Sequence, residues 1–264
     1  MKPSTFCILV LAATLLAACK QVTVVTTIPA TEAQAAVVRI AYEGNAQVEI
    51  VSPQGVRILI DVANPTALSA EPTVNDILLT THKHSDHYYA SFVKAFPGKM
   101  LDKVGEITTG DVKIRGIASA HNGKDPLTPD SSTDYIFIID IGSLRIAHFG
   151  DIGQETLTSE QLEALGSVDV AITQFVNSYS AMSLENKKGF NLMDEVKPKL
   201  IIPTHTSDDA LKYGLQEKKW TGYFAGTKFA EITKEKLPTG TGLIIIGDDP
   251  LSSAYKKILG LVDW

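Results

Sequence analysis

From residue 37 onward, apolar and polar positions alternate in short β-branched runs. VVRIAYE (37–43), AQVEIVS (46–52) and VRILIDV (56–62) are separated by Gly44-Asn45 and by Pro53-Gln54-Gly55, both hairpin signals. A buried run over 76–80 (DILLT with its leading aspartate) follows, and the period then lengthens over 87–96 (HYYASFVKAF), which predicts a helix. Further strands are predicted at 112–118, 135–141, 144–147 and 168–173, with late buried strands at 199–203 and 242–246. Helices fit 159–165, 186–196 and 208–214. In the tail, 248–264, Leu251, Tyr255, Ile258, Leu259, Leu261 and Trp264 have the spacing of an amphipathic helix that packs back on the rest. Hairpins first, then strands alternating with helices, in two similar halves, suit two sheets with helices on their outer faces.

The N-terminal stretch follows different rules. Met1-Lys2 carries one positive charge, residues 6–16 are almost unbroken apolar sequence, and Leu16-Ala17-Ala18-Cys19 closes the run with small residues. That order reads as a secretory signal over 1–18, too short for a membrane span of about 20 residues. The ending resembles the lipobox of bacterial lipoproteins, which implies diacylated Cys19 as a membrane anchor and an extracytoplasmic location. Residues 19–36, rich in Thr, Ala and Val, read as a tether to a single domain over 37–264.

Composition narrows the chemistry. The chain has two cysteines, Cys7 and Cys19. Both fall outside the expected domain, so no thiol there is left to ligate metal, form a disulfide or act as nucleophile. A net charge of −6, or −7 once Lys2 leaves with the signal, argues against a nucleic-acid partner, which a basic surface would serve. A hydrophobic share of 44% is ample for one packed core. No Gly-x-Ser-x-Gly elbow is present.

Of six histidines, His82, His84 and His87 fall within six residues, with Asp86 among them. Imidazole and carboxylate suit zinc, and to a lesser degree manganese or iron. Alternation on a strand end puts His82 and His84 on one side, with Asp86 and His87 just past the bend, so the four split into two pairs.

The order Thr81-His82-Lys83-His84-Ser85-Asp86-His87 after a buried strand resembles the hallmark of the metallo-β-lactamase superfamily. His121 in ASAH, Asp151 in HFGD and His205 in PTH continue the family pattern in the same order. The N-terminal hairpins resemble those of its UlaG-like branch. The resemblance implies an α/β fold, an αββα sandwich in a single domain. It also implies two divalent ions, zinc first with manganese or iron accepted. His82, His84 and His121 would hold one, Asp86, His87 and His205 the other, and Asp151 would bridge them. Asp86 and Asp151 would be the catalytic carboxylates, and a metal-bridging hydroxide the nucleophile. The expected substrate is an ester, lactone or phosphodiester of a small molecule or lipid head group. A β-lactam hydrolase or a lipoprotein that binds metal or ligand without turnover are the alternatives.

His148 is expected to pack structurally, and Asp61 to orient a ligand or a loop. Lys83, Asn122, Asn177 and Tyr179 are read first as solvated loop positions, with substrate contact second. Two irregular segments, 122–128 and 175–191, are the expected walls of the site, the second offering Phe175, Tyr179, Met182 and Phe190.

Overall fold

The structure, a computed structural model, describes residues 36–248 and 250–264. The signal, Cys19 and all of the tether except Ala36 lie outside the described residues. All the elements below belong to one compact unit, Ala35–Trp264.

Strands β1 (Val38–Tyr42), β2 (Val48–Val51) and β3 (Arg57–Ile60) form antiparallel hairpins at the two predicted turns. Asn45 and Gly55 take up positive φ there, at 49° and 83°. β4 (Ile77–Leu79) and β5 (Lys99–Leu101) then add in parallel to β3. The first sheet is completed from the far end of the chain by β13 (Phe229–Ile232), antiparallel to β1.

The second sheet has nine strands. An antiparallel half contains β6 (Gly105–Thr109), β7 (Val112–Ser119), β8 (Asp134–Ile141) and β9 (Leu144–His148). A parallel half continues through β10 (Val170–Thr173), β11 (Leu200–Pro203), β14 (Gly242–Ile245), β12 (Thr221–Phe224) and β15 (Val262–Asp263).

Side-chain alternation explains the layering. Ile58, Ile60, Ile77 and Leu79 face the second sheet and meet Phe137, Ile139, Ile172 and Ile202 in the central core. Leu59 and Leu78, pointing the other way, pack with Phe96 beneath helix α1 (Ala90–Ala95). On the far side, α2 (Ser159–Leu165), α3 (Lys188–Val196) and α4 (Asp208–Gln216) cover the second sheet through Leu165, Phe190, Leu192 and Leu211. Helix, sheet, sheet, helix: the architecture is the αββα sandwich. Thr158 caps α2 in a box with Gln161, and Ser207 caps α4 by accepting from the Ala210 amide.

Three differences from the sequence reading have local causes. α1 begins at Ala90 rather than at 87, because residues 84–87 close a turn (His87 N to His84 O, 3.0 Å) that carries His87 inward. β5, β6, β12, β13 and β15 were not predicted; each is short, and β13 depends on a partner from the other end of the chain while β6 pairs only with the adjacent β7. The tail is helical only over α5 (Pro250–Leu259); the last residues pair as β15 with β12, and the Trp264 indole donates to the Glu231 carbonyl at 3.0 Å. No helix among the described residues is long and apolar enough to cross a membrane.

Candidate metal centre

Each ligand-type side chain sits just past the C-terminal end of a strand: His82 after β4, His121 after β7, Asp151 after β9 and His205 after β11. Backbone bonds fix these exits. The His205 carbonyl accepts from the Phe175 and Val176 amides at 2.8 and 3.0 Å, and the Ala120 carbonyl accepts from the Gly153 amide at 2.8 Å. Two glycines are required by close approach. A Cβ on Gly150, already at positive φ, would lie 2.4 Å from Asp134 Oδ1, and one on Gly153 would lie 2.1 Å from the His121 carbonyl oxygen.

Seven side chains converge in two groups. His82, His84 and His121 each offer an atom within 4.8 Å of the others, and Asp86, His87, Asp151 and His205 do the same. In the first group His82 Nε2 lies 3.1 Å from His84 Nδ1. In the second, His205 Nε2 lies 3.3 Å from His87 Nε2, and Asp86 Oδ2 lies 3.6 Å from His205 Nε2. Asp151 stands between them. Its Oδ2 is 3.8 Å from both His82 Nε2 and His121 Nε2; its Oδ1 is 3.3 Å from His87 Nε2 and 3.4 Å from His205 Nε2.

The opposite edges of the rings are held by neighbours. His87 Nδ1 lies 2.9 Å from Asp61 Oδ2, and Asp61 itself accepts from the Thr81 amide and hydroxyl, both at 2.7 Å. Asp61 holds φ at 53°, a left-handed conformation that aspartate tolerates better than most residues. His82 Nδ1 lies 3.4 Å from Asp134 Oδ1, whose partner oxygen accepts from the Ser119 hydroxyl. His121 Nδ1 is 3.2 Å from the Asn122 amide nitrogen. His148 stands apart: fully buried, with Nδ1 accepting from the Gly150 amide and Nε2 lying 3.3 Å from the Ala46 carbonyl oxygen.

Charge is unevenly distributed. Burial alone would raise the Asp151 carboxyl, yet His87 close by and the other neighbouring imidazoles bring it down to about 2. Burial, reinforced by His82, brings His121 down to about 4, and burial also lowers His205. His87 is the exception: burial works against its charged form, but Asp61 and Asp151 push it up to about 11. Burial would raise Asp61 too, but His87 keeps it below the usual range; at Asp134 burial prevails and raises it.

These residues fit a divalent ion. His121 Nε2 and Asp151 Oδ1 are buried with no hydrogen-bond partner among the described residues, a costly state unless something else satisfies them. Ring nitrogens facing each other at 3.1 and 3.3 Å match the spacing of roughly 3.3 Å expected between two ligands about 2.0–2.1 Å from one tetrahedral ion. The donor set, imidazole and carboxylate without thiolate, suits zinc, manganese or iron alike.

Two contributors were missed or underestimated in the sequence. Asn177, read first as a solvated loop position, is 8% exposed and donates to Asp151 Oδ2 at 2.6 Å. Asp134 was not singled out; its signal is an acidic residue heading a strand otherwise dense in isoleucine. Lys83, by contrast, is an exposed partner of Asp102. Of the aromatic wall expected over 175–191, Phe175 and Phe190 stack at 4.5 Å within the core and Met182 is buried there too. Tyr179 alone remains outside, 76% exposed, its ring centroid 6.4 Å from that of His84.

Known proteins share this framework. A metal-dependent hydrolase of Thermoplasma acidophilum is 26% identical over 199 residues, covering 63% of this chain and 82% of that protein. A related protein of Pyrococcus furiosus is 26% identical over 180 residues, 59% of this chain and 78% of its own length. Among solved structures, one from Thermotoga maritima described as a Zn-dependent hydrolase of the metallo-β-lactamase superfamily superposes with a TM-score of 0.57. It is 21% identical and covers 79% of this chain and 98% of that one. A metallo-β-lactamase fold protein of Bacillus subtilis gives 0.51 at 13% identity, over 80% and 97% of the two chains. The family model described as "Beta-lactamase superfamily domain" matches residues 39–205, well over half of the sequence. With that match and this fold, the chain belongs to the β-lactamase superfamily.

Proposed function

We propose that this metal-dependent hydrolase works with two divalent ions, one on each ligand group, and cleaves an ester, lactone or phosphodiester bond. The observation that carries the reading is the division of Asp151, with Oδ2 turned to His82 and His121 and Oδ1 to His87 and His205. A carboxylate so placed fixes the spacing of two cations. Bound ions there would acidify a water and polarise the scissile bond.

The chain's own residues do the rest. Asp61 and Asp134 hold the His87 and His82 rings from their outer edges, so that with an ion bound the nitrogens turned to the site would supply their lone pairs to it. Asn177, by donating to Asp151 Oδ2, holds the central carboxylate in one orientation. Asp86, half exposed at the edge of the second group, can accept a proton where water and substrate enter. In ester cleavage the water oxygen bonds to the acyl carbon and the bond to the alcohol oxygen breaks. The proton lost by water ends on the alcohol.

The test is metal content by mass spectrometry on the purified chain, with hydrolysis of p-nitrophenyl esters, a lactone and bis-p-nitrophenyl phosphate by the same sample. About two metals per chain, with metal and turnover both lost in Asp151→Ala, is the expected result. Metal without turnover on any substrate would overturn it in favour of a binding protein. The sequence Leu16-Ala17-Ala18-Cys19 further supports a lipid-anchored, extracytoplasmic enzyme. Palmitate labelling of the full chain, absent in Cys19→Ala, is the corresponding check.

A further inference from the structure

Strand β7 leads to His121 past the point where its neighbours end. β6 pairs with it no further than Gly116, and β8 no further than Ser119. Side chains and the turn after Asp151 take up the backbone groups that follow. The Gln161 side-chain amide donates to the Ala118 carbonyl at 2.9 Å. The Ala120 amide donates to Gln154 Oε1 at 3.1 Å, and the His121 amide to the Thr133 hydroxyl at 3.0 Å. Since the Ala120 carbonyl accepts from the Gly153 amide, both polar groups of Ala120 are tied to the segment that follows Asp151.

Gln154 and Gln161 are themselves buried, each 5% exposed, and form a closed pair in which each amide donates to the other's Oε1 at 2.9 Å. Their remaining capacity is filled as well. Gln154 Nε2 donates to the Thr156 carbonyl at 3.1 Å, and Gln161 Oε1 accepts from the Thr158 amide at 2.9 Å. A primary amide has two donors and two acceptor positions, and both side chains use all four. The backbone dictates which way each amide faces. Turning Gln154 over would set its donor against the Ala120 N–H, and turning Gln161 over would set its oxygen against the Ala118 carbonyl. A buried polar network satisfied to this degree is rigid. It is also anchored, because Gln161 closes the capping box of α2.

Gln154 thus belongs to the turn that carries Asp151 and grips the residue before His121. His121 Nε2 and Asp151 Oδ2 lie 3.8 Å apart across the first ligand group. We propose that Gln154, seated on Gln161, is a positioning residue that sets the spacing of His121 against Asp151, and with it the affinity of the first group for its ion. The inference rests on the two-ion reading above. Asp151 keeps its bond from Asn177 whatever stands at 154, and Asp86, His87 and His205 are held by other segments, so the second group's ion should not respond.

The experiment is a zinc competition titration of the full-length chain against a chromogenic chelator, resolved into two binding steps. His84→Ala removes a ligand of the first group alone and identifies the step that belongs to it. Gln154→Met keeps an unbranched side chain of similar length but offers the Ala120 N–H no amide oxygen. The first-group step should weaken at least about tenfold, the lower end of the range for residues that orient metal ligands, with the other step unchanged. Should that variant not fold, Gln154→Asn, which draws the amide back from Ala120 by one methylene, reads the same step. In Gln154→Glu burial favours the neutral carboxyl, which keeps an acceptor for Ala120 and a donor for Gln161, so the first-group step should return toward that of the unaltered chain. A lowered Tm with both binding steps intact would make the pair merely structural and overturn the inference, as would equal losses at both steps. Fewer than two zinc ions on the unaltered chain would sink the two-ion reading itself, and this inference with it.

Discussion

The two ligand groups are built from the same edge of the sandwich but on different electrostatic plans. His82, His84 and His121 form a set of three imidazoles with no carboxylate of their own, and His84 is exposed. The other set places two imidazoles with two carboxylates, Asp86 and Asp151, and rests on fully buried His87. Their supports differ too. Asp61 meets His87 at 2.9 Å and is itself pinned by Thr81 twice, whereas Asp134 stands 3.4 Å from His82. Neutral donors leave a bound dication its full charge, while carboxylates offset it and bind it more strongly. The second group should therefore hold its ion more tightly, and the first should be the one that empties first under a chelator.

The comparison breaks most completely at Asp151, which serves both groups. Asp151→Ala is expected to lower hydrolysis by on the order of 10³-fold or more, several kcal/mol of lost transition-state stabilisation, and to reduce the metal count in the same preparation. Retention of two metals with ordinary turnover would contradict a shared carboxylate.

Asp61→Ala separates the groups. Metal affinity at the second group should drop toward 100-fold, in the upper part of the range for partners of ligating histidines, with the first group's ion retained. Asp134→Asn should produce the mirror image at the first group, and a smaller one, about tenfold, because its contact is longer. Competition titrations with a chromogenic chelator read both, and equal losses in the two variants would erase the asymmetry.

Gly150→Ala strikes the supports of both groups at once. Its Cβ would lie 2.4 Å from Asp134 Oδ1 and 2.8 Å from Thr81 Cβ, so backbone must shift. A cost of about 1–3 kcal/mol follows, a fall of several degrees in Tm by calorimetry.

The last expectation concerns the pH dependence of the metal-free chain. His87, raised to about 11, contributes stability that is complete below about 6.5 and is lost as pH climbs toward 11. His121, lowered to about 4, acts in the opposite direction: unfolded chains gain its proton below about 6.5, so stability falls as pH drops toward 4. Asp151, lowered to about 2, contributes stability present above about 3.9 and lost as pH falls through 2. Thermal melts of the chelator-treated chain should peak near pH 6.5, and a monotonic rise to pH 10 would contradict the His87 environment.

Much of this was legible before any coordinates. The hairpins at Gly44-Asn45 and Pro53-Gln54-Gly55 are written in residues that adopt positive φ or tight turns cheaply, and the helices over 159–165 and 208–214 in the pattern of their apolar residues. The cluster from His82 to His87 declared itself by density, and the chemistry of its donors follows from residue type. Edge strands such as β6 and β13 were invisible because their stability comes from one partner each: β13 exists where β1 lies beside it, almost two hundred residues earlier in the chain. The role of Asn177 was missed for a similar reason, since an amide in a loop becomes a carboxylate's donor only when that loop folds over Asp151.

Sequence by itself determined the elements that local propensity and alternation control, the absence of thiol chemistry in residues 37–264, and the seven side chains able to bind a metal. The family resemblance implied how those seven divide between two groups, and only the tertiary structure gave the distances within each. It also showed that Asp61 and Asp134 orient different rings and that Asn177 donates to Asp151. Those facts depend on distances between residues up to 119 positions apart. Such distances are set by how two sheets pack and by where their strand ends meet, and no run of neighbouring residues encodes them.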